Sequence, residues 1–159
     1  MRYAAGWLRD NLPSTDRLSV IHGDYRIGNC LFDEHDGRIN AWLDWELGHI
    51  GDRHEDIGWS IYNVFGHMSE DGKVFLTSGL LPEAEWFEAY EKASGLSLNP
   101  KTLHWYRVFN IFKSVTITLG TGYRIVRGGK THQDPYVLWL MGVSNTVMSE
   151  FSTLLDKGA

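Results

Sequence analysis

The sequence has little of what secreted, membrane-spanning and nucleic-acid-binding proteins need. A single cysteine, Cys30, cannot form an internal disulfide and favours a reducing compartment, so we expect a cytoplasmic protein. No apolar run approaches the roughly 20 residues that span a bilayer, and residues 1–7 lack the basic start and apolar stretch of a signal peptide. Fifteen basic residues against 20 acidic ones give a net charge of −5, which argues against a nucleic-acid partner. The 4 prolines and 17 glycines form no tract, which excludes a collagenous or low-complexity chain.

What is present predicts one globular domain over residues 1–159 of the α+β class, a small β-hairpin with helices around it. The predicted elements are a helix over Arg2–Asn11, a buried strand over Leu18–Ile21, strands at Cys30–Phe32 and from Ile39, and helices over Ile57–Phe65 (capped by Asp56), over Pro82–Ala93, from Pro100, and from Pro135 to about Leu155. The predicted packed side of the helix from Pro100 consists of Leu103, Tyr106, Phe109, Phe112, Thr116 and Leu119.

The hairpin is predicted from its turn and from its alternation. Asp36 and Gly37 lie between two apolar segments, and an Asp-Gly pair tolerates the positive φ angles of a tight turn. In the return strand, Ile39, Ala41 and Leu43 alternate with polar residues, which indicates a strand with one apolar face.

The polar residues around this hairpin carry the chemistry. Asp24 and Asn29 lie at the two ends of a loop, and Asp44 ends the return strand beside that loop. We therefore expect Asp24, Asn29, Asp44 and Glu46 to converge. Closely packed carboxylates repel one another unless a cation intervenes. Two carboxylates and an amide suit Mg²⁺, which completes its shell with water and phosphates. Asp24 is then free to accept a proton from a substrate hydroxyl.

The sequence HGDYRIGN at residues 22–29, followed by LDWE at residues 43–46, resembles the aminoglycoside phosphotransferase and choline kinase family. The stretch at residues 48–59 extends the resemblance, which is greatest to phosphotransferase domains found alone or fused to acyl-CoA dehydrogenases. The resemblance implies the mainly helical C-terminal lobe of the protein kinase-like fold, with the site on the hairpin. It also implies ATP- and Mg²⁺-dependent phosphorylation of a small hydroxylated molecule.

Each site residue receives a role from this resemblance. Asp24 would be the catalytic base or would orient the nucleophile, and Arg26 would face the transferred phosphate. Asn29 and Asp44 would bind Mg²⁺, with Glu46 as a less certain acidic neighbour of the metal.

Further residues would shape the loop and the acceptor pocket. His22 would organise the loop, and Asp56 would be a buried acceptor that ties the following helix to the loop backbone. The acceptor pocket is expected to include Trp59, Tyr62, Trp105 and Tyr123. These aromatics could hold a sugar, an aminoglycoside, a choline-like cation or an acyl-type hydroxy acid.

Each of these residues could instead have an ordinary structural role. Asp24 could cap a turn, Asn29 could be a turn residue with positive φ, and Glu46 could be a solvated loop charge. A zinc cluster of histidines and aspartates over residues 49–56 is disfavoured, because the spacing is irregular and lacks a cysteine pair.

The parts of a kinase that clamp the nucleotide are expected N-terminal to the catalytic loop in this family. Only 21 residues precede His22; the first lysine is Lys73 and the first glutamate is Glu34. We therefore expect a C-terminal lobe without its clamping lobe, weak or inactive alone, whose exposed apolar surface meets a complementing lobe or a second copy. Two other functions stay open: a non-catalytic fragment or pseudoenzyme that binds a ligand or partner, and a metal-dependent hydrolase.

Overall fold

The computed structural model describes residues 2–128, 135, 139, 142 and 147–154. The chain forms two compact units, of which one comprises Met1–Leu12 with Arg107–Ala159 and the other comprises Pro13–Tyr106. No helix in the described ranges is long and apolar enough to cross a membrane. All the motifs of the catalytic loop and hairpin lie in the Pro13–Tyr106 unit.

The first unit is mainly helical where it is described. Helix α1 spans Arg2–Asp10, as predicted, with Ala4 and Leu8 buried. Residues 147–154 are also helical. Pro135, where the last helix is predicted to begin, is helical, and the predicted end near Leu155 lies outside the described residues.

The second unit contains three two-stranded antiparallel sheets. Strand β1 (Leu18–Ile21) pairs with β4 (His49–Asp52), β2 (Cys30–Phe32) pairs with β3 (Ile39–Trp42), and β5 (His67–Met68) pairs with β6 (Phe75–Leu76). The β2–β3 pair is the predicted hairpin. Its Gly37 donates its N–H to Asp33 O and has φ +71°, a backbone conformation that glycine adopts without strain.

The prediction that β1 is buried was wrong for most of the strand. Ile21 is buried, but Leu18 is 68% exposed and Val20 is 69% exposed. The sheet has only two strands, and the side chains of Leu18 and Val20 project from the face opposite Ile21. That face remains open, and apolar composition alone does not reveal this.

Helix α2 lies between β4 and β5 in the chain, and α3 and α4 follow β6. The predicted helix over Ile57–Phe65 was wrong in its bounds: α2 spans His54–Ser60, a separate 3₁₀ turn covers Asn63–Phe65, and Asp56 lies inside α2 instead of capping it. Helix α3 spans Glu83–Ser94 and ends at Gly95, which has φ +69°. Helix α4 spans Pro100–Gly128, and the Asn99 side chain caps its first turn.

The core of this unit joins these helices. Ile57, Ile61 and Leu103 are its buried centre, packed by Trp86, Phe87, Tyr90 and Leu98. The predicted packed side of α4 was partly wrong. Its buried side chains include Leu103, Trp105, Val108, Ile111 and Val115, whereas Leu119 is exposed. Apolar residues of α4 occur on all sides of the helix, so their periodicity does not identify a single buried face.

Candidate active site

Helix α2 contacts the loop between β1 and β2 through hydrogen bonds to its backbone. The Asp56 carboxylate accepts the backbone N–H of His22 at 2.7 Å and that of Gly23 at 2.8 Å. Gly23 has φ +81°, and a Cβ there would lie 2.7 Å from the Leu47 backbone oxygen. A glycine is therefore required where the chain turns into the loop.

The His22 ring ties the loop to the end of the hairpin. Its Nδ1 accepts the N–H of Asp24 at 3.2 Å, and its Nε2 donates to Leu43 O at 2.7 Å. This bonding pattern assigns the neutral imidazole with the proton on Nε2. The ring is buried and packs at 4.5 Å, between centroids, on Trp45. His22 therefore links the backbone of Asp24, the predicted base, to the backbone of Leu43, which precedes Asp44.

The Asp24 carboxylate is half-buried and receives donors from three side chains. Trp59 donates its indole N–H to Oδ1 at 2.7 Å, and Asn29 donates its amide N–H to Oδ2 at 2.6 Å. Arg26 donates its Nε–H to both oxygens, at 3.2 and 3.3 Å. Charge-assisted hydrogen bonds of this kind fix a carboxylate in one orientation.

Asn29 is 3% exposed, and the structure orients its amide. Its Nδ2 is committed to the backbone oxygen and the carboxylate of Asp24. Because the nitrogen faces Asp24, the side-chain atom left for a cation is the oxygen Oδ1. The backbone oxygen of Asn29 accepts the N–H of Leu43 at 2.8 Å, which joins the loop to the strand before Asp44.

Asp44 adopts a conformation that costs free energy. With φ 60° and ψ 49° it lies in the left-handed region, which costs an L-residue about 1–2 kcal/mol and aspartate somewhat less. Its side chain is exposed, and no hydrogen bond to it occurs in the described part of the chain. An unpaired carboxylate on a strained backbone next to a catalytic loop indicates a functional constraint.

The expected gathering of carboxylates into one cluster is not found. Among the described residues, no three His, Cys, Asp or Glu side chains are grouped as metal ligands, so Asp24, Asp44 and Glu46 do not form one acidic cluster. Glu46 is exposed in the short 3₁₀ turn Trp45–Leu47. One amide oxygen and one carboxylate remain as a candidate set, and they fit Mg²⁺, which commonly takes one or two protein carboxylates and fills its shell with water and phosphate.

The predicted acceptor-pocket aromatics do not share one environment. Trp59 and Tyr62 are buried and contact the half-buried Phe65, with centroids 5.4 and 5.8 Å from its ring. Trp105 is buried in helix α4, and Tyr123 is 66% exposed and belongs to the other unit.

Two features of this site were missed from the sequence. The Arg26 guanidinium carbon lies 5.9 Å from the Phe65 ring centroid, within cation–π distance. Trp59 donates to Asp24, which is 35 positions away in the sequence. The only signal for either was the placement of aromatics on and just after the α2 segment.

Burial raises the pKa of the Asp56 carboxyl above its usual range, and the two backbone N–H donors offset part of that rise. A carboxyl with a raised pKa in the folded state stabilises the fold below its unfolded pKa of about 3.9 and loses that contribution as pH rises through the folded value. We therefore expect the free energy of unfolding of the natural chain, minus that of Asp56→Asn, to fall as pH rises from about 3.5 to 7.

Urea unfolding of the two proteins at several pH values measures this difference, and titration of the other carboxyls cancels in the subtraction. A difference that grows with pH would show that the hydrogen bonds from the loop outweigh burial at Asp56.

Comparisons with known proteins agree with this fold, which is that of the kinase-like phosphotransferases. A family model described as "Phosphotransferase enzyme family" matches residues 1–107, about two thirds of the sequence, and the chain belongs to that family.

Among its relatives, the chain is 30% identical over 148 residues to the probable acyl-CoA dehydrogenase IBR3 of Arabidopsis thaliana. It is 28% identical over 142 residues to human acyl-CoA dehydrogenase family member 11. Each match covers 86% of this chain, but the chain spans only 16% and 18% of those two proteins. The resemblance to phosphotransferase sequences associated with acyl-CoA dehydrogenases is confirmed.

Two solved structures confirm the fold class. A candidate aminoglycoside phosphotransferase from Ralstonia eutropha is 26% identical with a TM-score of 0.76, and the match covers 98% of this chain and 48% of that one. An aminoglycoside-3'-phosphotransferase of type VIII is 20% identical with a TM-score of 0.51, over 67% of this chain and 37% of the other, and shows likeness of fold only.

Proposed function

We propose that this chain carries the catalytic base and the metal ligands of an ATP- and Mg²⁺-dependent phosphotransferase that acts on a hydroxyl group of a small molecule. The observation that carries the proposal is the Asp24 carboxylate, which Asn29, Arg26 and Trp59 hold in one orientation within the loop. The same contacts leave the Asn29 amide oxygen as the atom that can bind a cation.

The roles of the residues follow from these contacts. Asp24 accepts the proton of the acceptor hydroxyl. The hydroxyl oxygen forms a new bond to the γ-phosphorus of ATP, and the bond between that phosphorus and the ADP oxygen breaks. Arg26 uses its Nε for Asp24, which leaves its terminal amino groups for the transferred phosphate. Asn29 and Asp44 would hold Mg²⁺, which when bound neutralises charge on the phosphate oxygens. Glu46 would act on the metal through water.

The acceptor is proposed by class only. Trp59, Tyr62 and Phe65 form an aromatic group beside Asp24 and Arg26, and aromatic rings bind sugars and cations through their faces. We propose a small hydroxylated molecule whose body rests on this group, and we retain Trp105 as a proposed contributor.

The nucleotide-clamping groups are proposed to come from a separate lobe. The hairpin presents exposed Leu31, Phe32 and Ile39, a surface that a complementing lobe or a second copy could cover. We place the protein in the cytoplasm on its single cysteine.

An assay of γ-phosphate transfer tests the proposal. The product of the complete reading frame that contains this sequence is incubated with Mg²⁺, ATP and a panel of hydroxylated acceptors, and the 159-residue chain is assayed beside it. We expect acceptor-dependent ADP formation in the first sample and weak or no turnover in the second. Release of inorganic phosphate without any acceptor would assign a hydrolase, and ATP binding without turnover would assign a non-catalytic binding protein.

The Trp59 contact gives a prediction of its own. Trp59→Phe keeps an aromatic ring in the core but removes the donor to Asp24. A hydrogen bond to a charged group contributes about 1.5–3 kcal/mol, so we expect kcat to fall about tenfold or more, with the KM for ATP unchanged.

Trp86→Phe is the matched control, because Trp86 is a half-buried core tryptophan of the same unit without a contact to Asp24. Equal losses of kcat in the two variants would mean that Trp59 acts only through packing.

A further inference from the structure

Arg26 contacts the Asp24 carboxylate in an arrangement that is not the strongest available to an arginine. Guanidinium groups commonly bind carboxylates through two parallel N–H···O bonds, each about 2.7–2.9 Å long. Arg26 instead uses the single hydrogen on Nε, which the two Asp24 oxygens share at 3.2 and 3.3 Å. Its terminal amino groups make no hydrogen bond within the described part of the chain. The orientation of this guanidinium is therefore set by more than its attraction to Asp24.

Gly28 leaves the space that the end of the Arg26 side chain fills. Gly28 is exposed in the 3₁₀ turn Ile27–Asn29, and a Cβ built on it would overlap Nη1 of Arg26. Gly28 does not have a positive φ, so its backbone conformation does not itself require glycine. Because Nη1 is the far end of a flexible side chain, an alanine at position 28 would displace the guanidinium and leave the backbone in place.

Phe65 supports the same guanidinium through its ring. The ring centroid lies 5.9 Å from the guanidinium carbon, within cation–π distance. The ring is half-buried and packs against Trp59 and Tyr62, with centroids 5.4 and 5.8 Å away. Trp59 also donates its indole N–H to Asp24. One packed aromatic group therefore contacts both the carboxylate of Asp24 and the guanidinium of Arg26.

We propose that Gly28 and Phe65 are positioning residues that confine Arg26 to its Nε contact with Asp24 and so keep its terminal amino groups available for the transferred phosphate. A bidentate pair with Asp24 would commit at least one of those amino groups to the carboxylate. The role toward the phosphate rests on the proposed phosphotransferase function. The orientation of Arg26 rests on the contacts alone.

Gly28→Ala in the product of the complete reading frame is the first test. The added Cβ displaces Nη1, so we expect kcat to fall about tenfold, the equivalent of one hydrogen bond to a charged group, with the midpoint of urea unfolding unchanged. In an Arg26→Lys background the same substitution should change kcat less than about twofold, because lysine has no Nη1 to displace. Equal losses of kcat in the two backgrounds would overturn the proposal, since they would show that Gly28 supports only the loop.

Phe65→Leu removes the ring and should lower kcat about threefold to tenfold, whereas Phe65→Tyr keeps the ring and should retain kcat. Phe87→Leu is the matched control, because Phe87 is a half-buried phenylalanine that packs on the core of the same unit. It should leave kcat unchanged. A loss in Phe65→Leu that appears only in the KM for the acceptor would assign Phe65 to acceptor binding and remove it from the proposal.

The NMR signal of the Arg26 Nε–H in the 159-residue chain reports the orientation of the guanidinium without catalysis, and Arg26→Lys assigns that signal. We expect Gly28→Ala and Phe65→Leu to shift it and Phe87→Leu to leave it in place. An unchanged signal in both of the first two variants would overturn the proposal, because the spacing of Arg26 from Asp24 would then be sufficient to orient it. Absence of phosphate transfer by the complete protein would refute the proposed function, and the NMR comparison would still decide the orientation of Arg26.

Discussion

Asp24→Asn is expected to lower kcat by roughly 10²–10⁴-fold, the usual contribution of a positioned general base. Asparagine has nearly the shape of aspartate but cannot accept the proton of an acceptor hydroxyl. One of its side-chain positions becomes an NH₂ group, which faces a donor from Trp59, Arg26 or Asn29. We therefore also expect the free energy of unfolding to fall by about 1–3 kcal/mol. Steady-state kinetics and urea unfolding of the same preparations measure the two effects.

Asp36→Asn is the control for this variant. Asp36 lies in the exposed turn of the hairpin and pairs with Arg38, away from the loop that holds Asp24. It should leave kcat unchanged. If Asp24→Asn retained more than about a tenth of kcat, the side chain would be orienting the acceptor without taking its proton, because base catalysis is worth at least about 10²-fold.

The second large effect is expected at Asp44. Asp44→Ala should weaken the Mg²⁺ dependence of ATP binding and lower kcat/KM by at least about 10²-fold, since charge stabilisation by a bound metal is worth several kcal/mol. Calorimetric titration of ATP at increasing Mg²⁺ concentrations measures the binding, and Asp36→Ala serves as the control.

Asp44→Gly separates the metal ligand from the strained backbone. It lacks the carboxylate, as Asp44→Ala does, but glycine adopts φ 60° without the Cβ penalty. We expect it to be as inactive as Asp44→Ala and more stable than that variant by about 1 kcal/mol. Magnesium-dependent ATP binding that survives in both variants would remove Asp44 from the ligand set.

The catalytic loop and hairpin could be predicted because their signals are local. The Asp36-Gly37 turn sets the hairpin, and the alternation from Ile39 predicts its return strand, although Ile39 itself is exposed. The hydrogen bond from Asn29 to the Asp24 carboxylate joins residues that are five positions apart in one loop. In each case neighbouring residues determine the geometry, so the sequence pattern is sufficient.

What could not be predicted depends on contacts between distant residues. Strand β4 forms only by pairing with β1, and it contains Gly51, a weak strand former. The hydrogen bond from Trp59 to Asp24 depends on how α2 packs under the loop. The prediction that Asp24, Asn29, Asp44 and Glu46 converge was wrong for the three carboxylates, which form no group among the described residues, because proximity along the chain does not determine where side chains point.

The bonding of the His22 ring has a consequence for how positions 24 and 44 can change. One imidazole accepts the N–H of Asp24 and donates to the carbonyl of Leu43, so only two hydrogen bonds separate the backbone of residue 24 from the residue preceding Asp44. Substitutions at sites within one hydrogen-bonded network are generally non-additive. We therefore expect the effects of substitutions at Asp24 and Asp44 on the free energy of unfolding to be coupled rather than additive.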